Sequence, residues 1–215
     1  MIVGLEIGAR RTFACALEWP GWCRAGRSEE EAIERLLEYS GRYGTVAERA
    51  GFGLPGEIEL GAAEVVERVE GDATTDFGAP GRQYAFDRQA PASGELARAG
   101  ALLDAAYAYF DEVVAGAPAV LRKGPRGGGR DRDAVAAHVN GVDAAYGRKL
   151  GLPGWKPELA TAGEIAEHRA AAVRVFRDAS SGEARMPGGW PLRYAARRGI
   201  WHLLDHAWEI EDRSR

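Results

Sequence analysis

The chain has 215 residues, of which 46% are hydrophobic and 28% are charged, and this composition is typical of a globular protein and excludes an intrinsically disordered one. A formal net charge of -4 argues against binding through nucleic-acid phosphates, so we expect no nucleic-acid partner. No apolar run approaches the roughly 18 residues of a membrane span, so we expect no membrane insertion. Two cysteines make no disulfide framework and the sequence starts without a secretory signal pattern, which together favour a cytoplasmic protein.

The sequence changes character near residue 90. Strand-like runs and glycines dominate before this point, and helical patterns dominate after it. We therefore predict an α+β protein with two domains: a small α/β module over residues 1–90 and a helical domain over residues 91–215.

The N-terminal module is predicted to contain a short antiparallel sheet. Residues 1–9 and 12–19 are apolar or alternating runs on either side of a short polar turn, which predicts a β-hairpin. Residues 22–25 are the candidate third strand, and residues 63–69 fit a strand, with residues 64–69 as a short helix in the alternative. Cys15 and Cys23 fall in or beside these strands, and we expect both to be buried as small hydrophobic residues.

One helix is predicted to pack on this sheet. Ser28 is followed three residues later by Glu31, a capping box in which both side chains satisfy free backbone N–H groups at the start of a helix. Apolar residues then recur on one helical face, and the helix should end near residues 40–41.

Four longer helical segments follow, each bounded by Gly, Pro or Ser. They cover about residues 93–115, 132–150, 161–179 and 191–212. Helices of this number and length predict a four-helix bundle.

Three of the four histidines occupy positions that indicate a metal centre. His202 and His206 are four residues apart, so both rings lie on one face of the fourth segment. His138 lies on the apolar stripe of the second segment, which a bundle can bring against the fourth. Taken alone, His138 is better explained as a core or surface residue with one hydrogen bond. Taken together, the three neutral imidazoles predict a metal site with open positions for water or substrate.

Acidic and polar neighbours of the histidines are candidates for supporting roles. Glu209 follows His206 by three residues and is the candidate general base or hydrogen-bond acceptor for a ligand, although a solvated or ion-paired carboxylate explains it equally well. Asp205 points away from the pair and is a poor ligand. Asn140 and Asp143 could support the site, but a surface position is the preferred interpretation.

Other residues near the histidine motifs are expected to be structural. His168 is surrounded by charged residues in the third segment, so we expect an exposed side chain outside the site. Trp201 and Trp208 flank the histidine pair and are expected to belong to the core.

The helical domain resembles the DinB-like (DinB/YfiT-like) metalloprotein family over about residues 93–213. The resemblance rests on the sequence DAVAAHV at residues 133–139, the sequence RRGIWHLLDHAWE at residues 197–209, and the number and order of helices. It implies a four-helix bundle in which His138, His202 and His206 bind a divalent ion, commonly Ni or Zn. Several members of the family are transferases that use a low-molecular-weight thiol.

Residues 1–43 resemble the HicB-like antitoxin family. The resemblance rests on the hairpin, on LEWPGWCRAG at residues 17–26 and on SEEEAI at residues 28–33. It implies a small sheet with one packed helix that binds a small toxin ribonuclease. The chain departs from the family because a helical domain replaces the DNA-binding segment, which favours a scaffold or dimerisation role. Glu6 and Glu18 alone do not make the two-metal site of a ribonuclease H.

Three possible functions follow from these patterns. The first is a metal-dependent enzyme, a thiol transferase or a hydrolase-like enzyme, with a small-molecule substrate. The second is a non-enzymatic binding or regulatory protein whose N-terminal module contacts a partner and whose metal site is structural or vestigial. The third is a structural homodimer with a vestigial site.

Overall fold

A computed structural model of the chain describes residues 1–54, 63–123, 129–179 and 189–215. Within these ranges the chain has four β-strands, all in its first 70 residues, and seven α-helices. The predicted α+β class is therefore confirmed.

The four strands form one mixed sheet. Strands β1 (Ile2–Ile7), β2 (Thr12–Ala16), β3 (Cys23–Gly26) and β4 (Glu64–Glu70) are arranged in the order β3-β2-β1-β4. The predicted hairpin is confirmed, because β1 and β2 pair antiparallel, and β3 continues the antiparallel pairing on the other side of β2.

Strand β4 settles the segment that fitted either a strand or a helix. Its residues alternate between exposed and half-buried, as expected for a strand with one face against the protein. It pairs parallel with β1. The expectation of a purely antiparallel sheet was therefore wrong, because pairing between strands nearly 60 residues apart leaves no local signal in the sequence.

Two helices follow the sheet hairpin where one was predicted. Helix α1 (Glu29–Glu38) begins as expected: the Ser28 hydroxyl accepts a hydrogen bond from the Glu31 N–H, and the Glu31 carboxylate accepts one from the Arg27 N–H. Helix α2 (Ser40–Arg49) starts directly after it and was missed, because its glycines lower helix propensity. Tertiary packing compensates, since α2 buries Tyr43, Val46 and Ala47.

The remaining helices are one short turn and four long segments. Helix α3 (Ala73–Phe77) is short, whereas α4 (Glu95–Gly116), α5 (Arg132–Lys149), α6 (Ala162–Asp178) and α7 (Leu192–Ser214) are long. Each long helix lies within two residues of the predicted bounds. Helix α4 packs against α6 and α7, and α5 packs against α7.

The hydrophobic core runs from the sheet into the long helices without interruption at residue 90. Leu5 and Trp22 belong to the same buried cluster as Leu102 and Trp208. Gly21 shows how closely the two parts approach: its φ is +93°, and a Cβ built there would lie 2.2 Å from the Ile200 side chain. The domain division at residue 90 stays a prediction.

The α5–α6 interface overturns the predicted surface positions of three polar residues. Asp143 is only 6% exposed, with Arg169 Nε at 3.6 Å from its Oδ2. Asn140 is half-buried and accepts a hydrogen bond from Arg169. His168 is also half-buried, and its Nε2 lies 3.2 Å from the Asp143 carbonyl oxygen. Gly147 permits this approach, since a Cβ there would lie 2.5 Å from the His168 ring.

We expect Asp143 to make the folded chain less stable as pH rises. Burial raises the pKa of Asp143 to about 7, from an ordinary value of 3.8. Because the folded state holds this proton more tightly than the unfolded state, the stabilising contribution is complete below pH 3.8 and is lost as pH rises through about 7. The variant Asp143→Asn cannot ionise and does not lose this contribution. The difference between its free energy of unfolding and that of wild type should therefore shift in its favour by roughly 2–4 kcal/mol between about pH 4 and about pH 8.

Urea unfolding followed by circular dichroism at each pH measures this difference. Asp104→Asn is the matched control, because Asp104 is an exposed carboxylate paired with Arg177. Its free energy of unfolding should track that of wild type. Parallel pH profiles for wild type and D143N would show that the buried carboxyl does not resist ionisation.

Candidate metal centre

The three histidines predicted as metal ligands lie next to one another in the structure. His138 comes from α5, and His202 and His206 come from successive turns of α7. The Nε2 atoms of His138 and His202 are 3.3 Å apart, and one ring nitrogen from each of the three residues lies within 4.8 Å of the other two. The three side chains are therefore close enough to bind a metal ion. In the described part of the chain, no other three His, Cys, Asp or Glu side chains come this close.

Packing of apolar residues on the two helices brings the histidines together. Val135 and Val139 bury the side of α5 next to His138, and Leu203 and Ala207 do the same on α7. His202 is 6% exposed, whereas His138 and His206 are partly open to solvent. The cluster thus has one buried and two accessible members.

The geometry suits a metal with imidazole ligands. Metal–nitrogen bonds of about 2.0–2.1 Å place neighbouring nitrogens of a tetrahedral site about 3.3–3.4 Å apart. The separation of 3.3 Å between His138 and His202 already matches this value. Any separation near the 4.8 Å limit has to shorten, which rotation of a side chain can provide.

Two of the histidines, His202 and His138, are held in the neutral form that binds metals. Burial, followed by the charges of His206 and His138, lowers the pKa of His202 well below its ordinary value. Burial and His206 also lower the pKa of His138. Each of these rings therefore offers a lone pair at neutral pH. The Nδ1 atom of His202 is buried and has no hydrogen-bond partner among the described residues.

Glu209 fixes the orientation of one candidate ligand. Its Oε2 lies 2.9 Å from Nδ1 of His206, and its Oε1 accepts a hydrogen bond of 2.6 Å from Arg213. The hydrogen bond from His206 and the Arg213 charge lower the pKa of Glu209. This arrangement directs the Nε2 lone pair of His206 away from Glu209. A carboxylate with a lowered pKa is a weak base, so the geometry favours a positioning role over the predicted role as general base.

The Asp205 carboxylate is paired with a residue of the sheet, in line with the prediction that it is a poor metal ligand. Its Oδ1 accepts a hydrogen bond of 2.9 Å from Arg24 on β3. The Arg24 guanidinium also lies 3.9 Å from the centre of the Tyr39 ring. Burial raises the pKa of Asp205, and Arg24 opposes that change.

An aromatic and cationic wall adjoins His202, and sequence reasoning did not assign it to the site. The Tyr146 ring lies 6.0 Å from the His202 ring, and Trp190 packs against Tyr146 at 5.2 Å. The Arg198 guanidinium lies 5.0 Å from the centre of the Trp201 ring. The sequence did hold a signal for Arg198, because it lies four residues before His202 and so shares its helical face. Trp190 lies outside the periodic segments and offered no such signal.

The other predicted residues do not join the histidine cluster. Glu6 is fully buried and accepts hydrogen bonds from the Thr75 hydroxyl and from the N–H groups of Gly81 and Arg82. The Glu18 carboxylate accepts a long hydrogen bond of 3.4 Å from the N–H of Ile2. The two carboxylates are structural acceptors in separate places. The predicted burial of Trp201, Trp208, Cys15 and Cys23 is confirmed.

Fold and site together define an α+β protein with a three-histidine cluster shared by two of its helices. No family model matches the chain, and no curated protein or solved structure matches it. The helices of the described ranges include none that is both long and apolar enough to cross a membrane. The DinB-like and HicB-like assignments therefore stay predictions.

We expect Glu209→Gln to weaken the affinity of the histidine cluster for Zn²⁺ by about 10–100-fold. The amide retains the size of the carboxylate but loses the charge that holds the Nδ1 proton of His206. Competition against a chromogenic chelator measures the affinity. Glu211→Gln is the matched control, because Glu211 lies on the same helix and accepts a hydrogen bond from Tyr109 instead. Equal affinities for E209Q and wild type would exclude the positioning role.

Proposed function

We propose that the chain binds one divalent ion, Zn or Ni, through His138, His202 and His206 and acts as a transferase that uses a low-molecular-weight thiol. The observation that carries the proposal is the convergence of three ring nitrogens within 4.8 Å from two helices whose nearest histidines are 64 residues apart in sequence. A chance His-x-x-x-His pair has no reason to meet a third histidine from elsewhere in the chain.

The packing of the long helices supports a DinB-like bundle. Helix α4 packs against α6 and α7, and α5 also packs against both, so each helix has at least two neighbours. We infer that α4 to α7 form a four-helix bundle with the ligands on its second and fourth helices. This is the placement that the resemblance to the DinB-like family implies.

The carboxylates around the cluster are paired with other side chains and so do not take up a coordination position. Among the described residues the two nearest carboxylates are engaged, Asp205 by Arg24 and Glu209 by His206 and Arg213. Three histidine ligands leave at least one coordination position of a divalent ion open. A divalent ion bound there would supply Lewis-acid chemistry and lower the pKa of a thiol or a water molecule.

Positive charge near the cluster favours an anionic form of the substrate, such as a thiolate. Arg198 lies one helical turn before His202 and lowers the pKa of that residue, as does Arg130. Arg198 donates a hydrogen bond of 2.9 Å to the Pro80 carbonyl, which holds its guanidinium in place. Within the described residues neither arginine forms an ion pair. We infer that these two side chains orient the anionic groups of the substrate.

The proposed reaction joins the sulfur of the small thiol to a carbon electrophile. The sulfur forms the new bond with its own electron pair, and the leaving group departs with the electrons of the bond that breaks. The thiol proton passes to solvent, since Glu209 is held in two hydrogen bonds and has a lowered pKa.

The second function, a binding or regulatory protein, draws support from the N-terminal sheet. A cleft of about 470 Å³ is lined by four arginines and two carboxylates, with Glu31 pairing to Arg35, and the six are Arg10, Arg11, Arg27, Arg35, Glu31 and Asp76. Its positive charge favours an acidic partner over the basic ribonuclease that a HicB-like module would bind. In this interpretation the histidine cluster is structural or vestigial.

Elemental analysis of protein purified without a histidine tag should find about one divalent ion per chain, either as isolated or after loading with Zn²⁺ or Ni²⁺. His202→Ala should lose the ion, because two imidazoles hold it far more weakly than three. His168→Ala is the matched control, since His168 lies outside the cluster, and it should retain full stoichiometry. Absence of bound metal after loading would exclude the metalloenzyme and leave the binding protein.

We expect the metal-loaded chain to conjugate small thiols to monochlorobimane faster than the metal-free chain does. Arg198→Gln should raise the KM for the thiol about three- to tenfold, because it removes a positive charge beside the site but keeps a donor for Pro80. Fluorescence of the bimane conjugate gives both constants. Arg148→Gln changes an exposed arginine at the end of α5 and should leave KM unaltered. Equal rates with and without metal would contradict the transferase.

A further inference from the structure

The two cysteines of the chain face each other across neighbouring strands. Cys15 on β2 is the direct partner of Cys23 on β3, and both are free and fully buried. Burial, and after it the neighbouring Cys15 thiol, raises the pKa of Cys23 well above its ordinary value. Neither takes part in the histidine cluster or in the proposed function.

Cys15 and Cys23 form a non-hydrogen-bonded antiparallel pair, the kind in which side chains lie closest together. The Ala16 N–H donates to the Trp22 carbonyl, so the Cys15–Cys23 pair lies between ladder hydrogen bonds and forms none of its own. In such a pair the α-carbons are about 4.5 Å apart and both side chains project from the same face. Disulfides span α-carbon separations of about 4.4–6.8 Å. The backbone can therefore carry a bond between these residues without moving the strands apart.

We propose that Cys15 and Cys23 are a dithiol that a small organic disulfide converts to an intramolecular cross-strand disulfide. One cysteine thiolate attacks the small disulfide, forming a mixed disulfide and releasing the first small thiol. The second cysteine thiolate then attacks the protein sulfur of the mixed disulfide and releases the second small thiol. The two cysteines are oxidised, the small disulfide is reduced to two thiols, and the two cysteine protons end on those thiols.

The place of the pair in the sheet provides a route for the reagent. Strand β3 is the edge strand in the order β3-β2-β1-β4, so its separation from β2 exposes both sulfurs at once. In the closed state the thiols lie under Tyr84 and Trp201. Burial also raises the pKa of Cys23, so reaction has to follow this opening. The pair should accordingly react slowly but yield one product.

The test incubates the folded, full-length chain with excess 2-hydroxyethyl disulfide, quenches with acid, and alkylates the remaining thiols before intact mass measurement. The proposal predicts the loss of two hydrogen atoms, no alkylation, and a cross-linked peptide containing both cysteines. Dithiothreitol should restore two alkylatable thiols. Cys15→Ala should yield only the mixed disulfide of Cys23, because the resolving thiol is gone.

Three results would overturn the proposal, and none requires a variant to fold. In the first, both thiols of the folded chain can still be alkylated after the incubation. In the second, both cysteines carry stable mixed disulfides. In the third, disulfides form between chains. A parallel incubation in urea checks that the reagent is active, since the unfolded chain has to react in any case. An internal disulfide that forms in urea but not in the folded chain counts against the proposal.

Discussion

The position of α7 depends on one buried ion pair. Arg197 of α7 donates to the Asp87 carboxylate, with side-chain exposures of 2% and 1%, and also to the Arg82 carbonyl. The guanidinium lies 4.5 Å from the centre of the Tyr84 ring, and the Asp87 carboxylate also accepts a hydrogen bond from the Tyr84 N–H. Neither charge can be buried without the other, so a seating of the helix that separated the pair would leave an uncompensated buried charge. His202 lies five residues further along, and its location follows from that seating.

The site is built so that its histidines stay free for a ligand while nearby charges are used elsewhere. Arg24 of the sheet donates a hydrogen bond to Asp205, and Glu209 is hydrogen-bonded to both Arg213 and His206. If either carboxylate lacked its partner, it could compete for the metal or protonate, and the donor set would change. The N-terminal sheet thus contributes to the site indirectly, because β3 supplies the arginine that keeps one carboxylate out of it.

Local periodicity and capping were sufficient to predict much of this structure. The spacing of His202 and His206, the Ser28 cap of α1 and the bounds of the long helices all depend on neighbours within a few residues. The failures involve partners that are distant in sequence. The parallel pairing of β4 with β1 leaves no local trace, and the burial of Asp143 depends on Arg169 of another helix. Hydrophobic patterning places charged residues outside unless such a partner is known.

The fold itself, and not a bound metal ion, brings the three histidines together. Small zinc domains fold only when the metal binds, because their cores are too small to order the ligands. Here the ligand helices are ordered by a buried core that includes Trp208, Leu203 and Val139, and by the Arg197 ion pair. The separation between His138 and His202 is already the one a tetrahedral ion needs. Binding energy is therefore not spent on folding the ligand helices, and a ligand entering beside the two partly open histidines meets helices that are already in place.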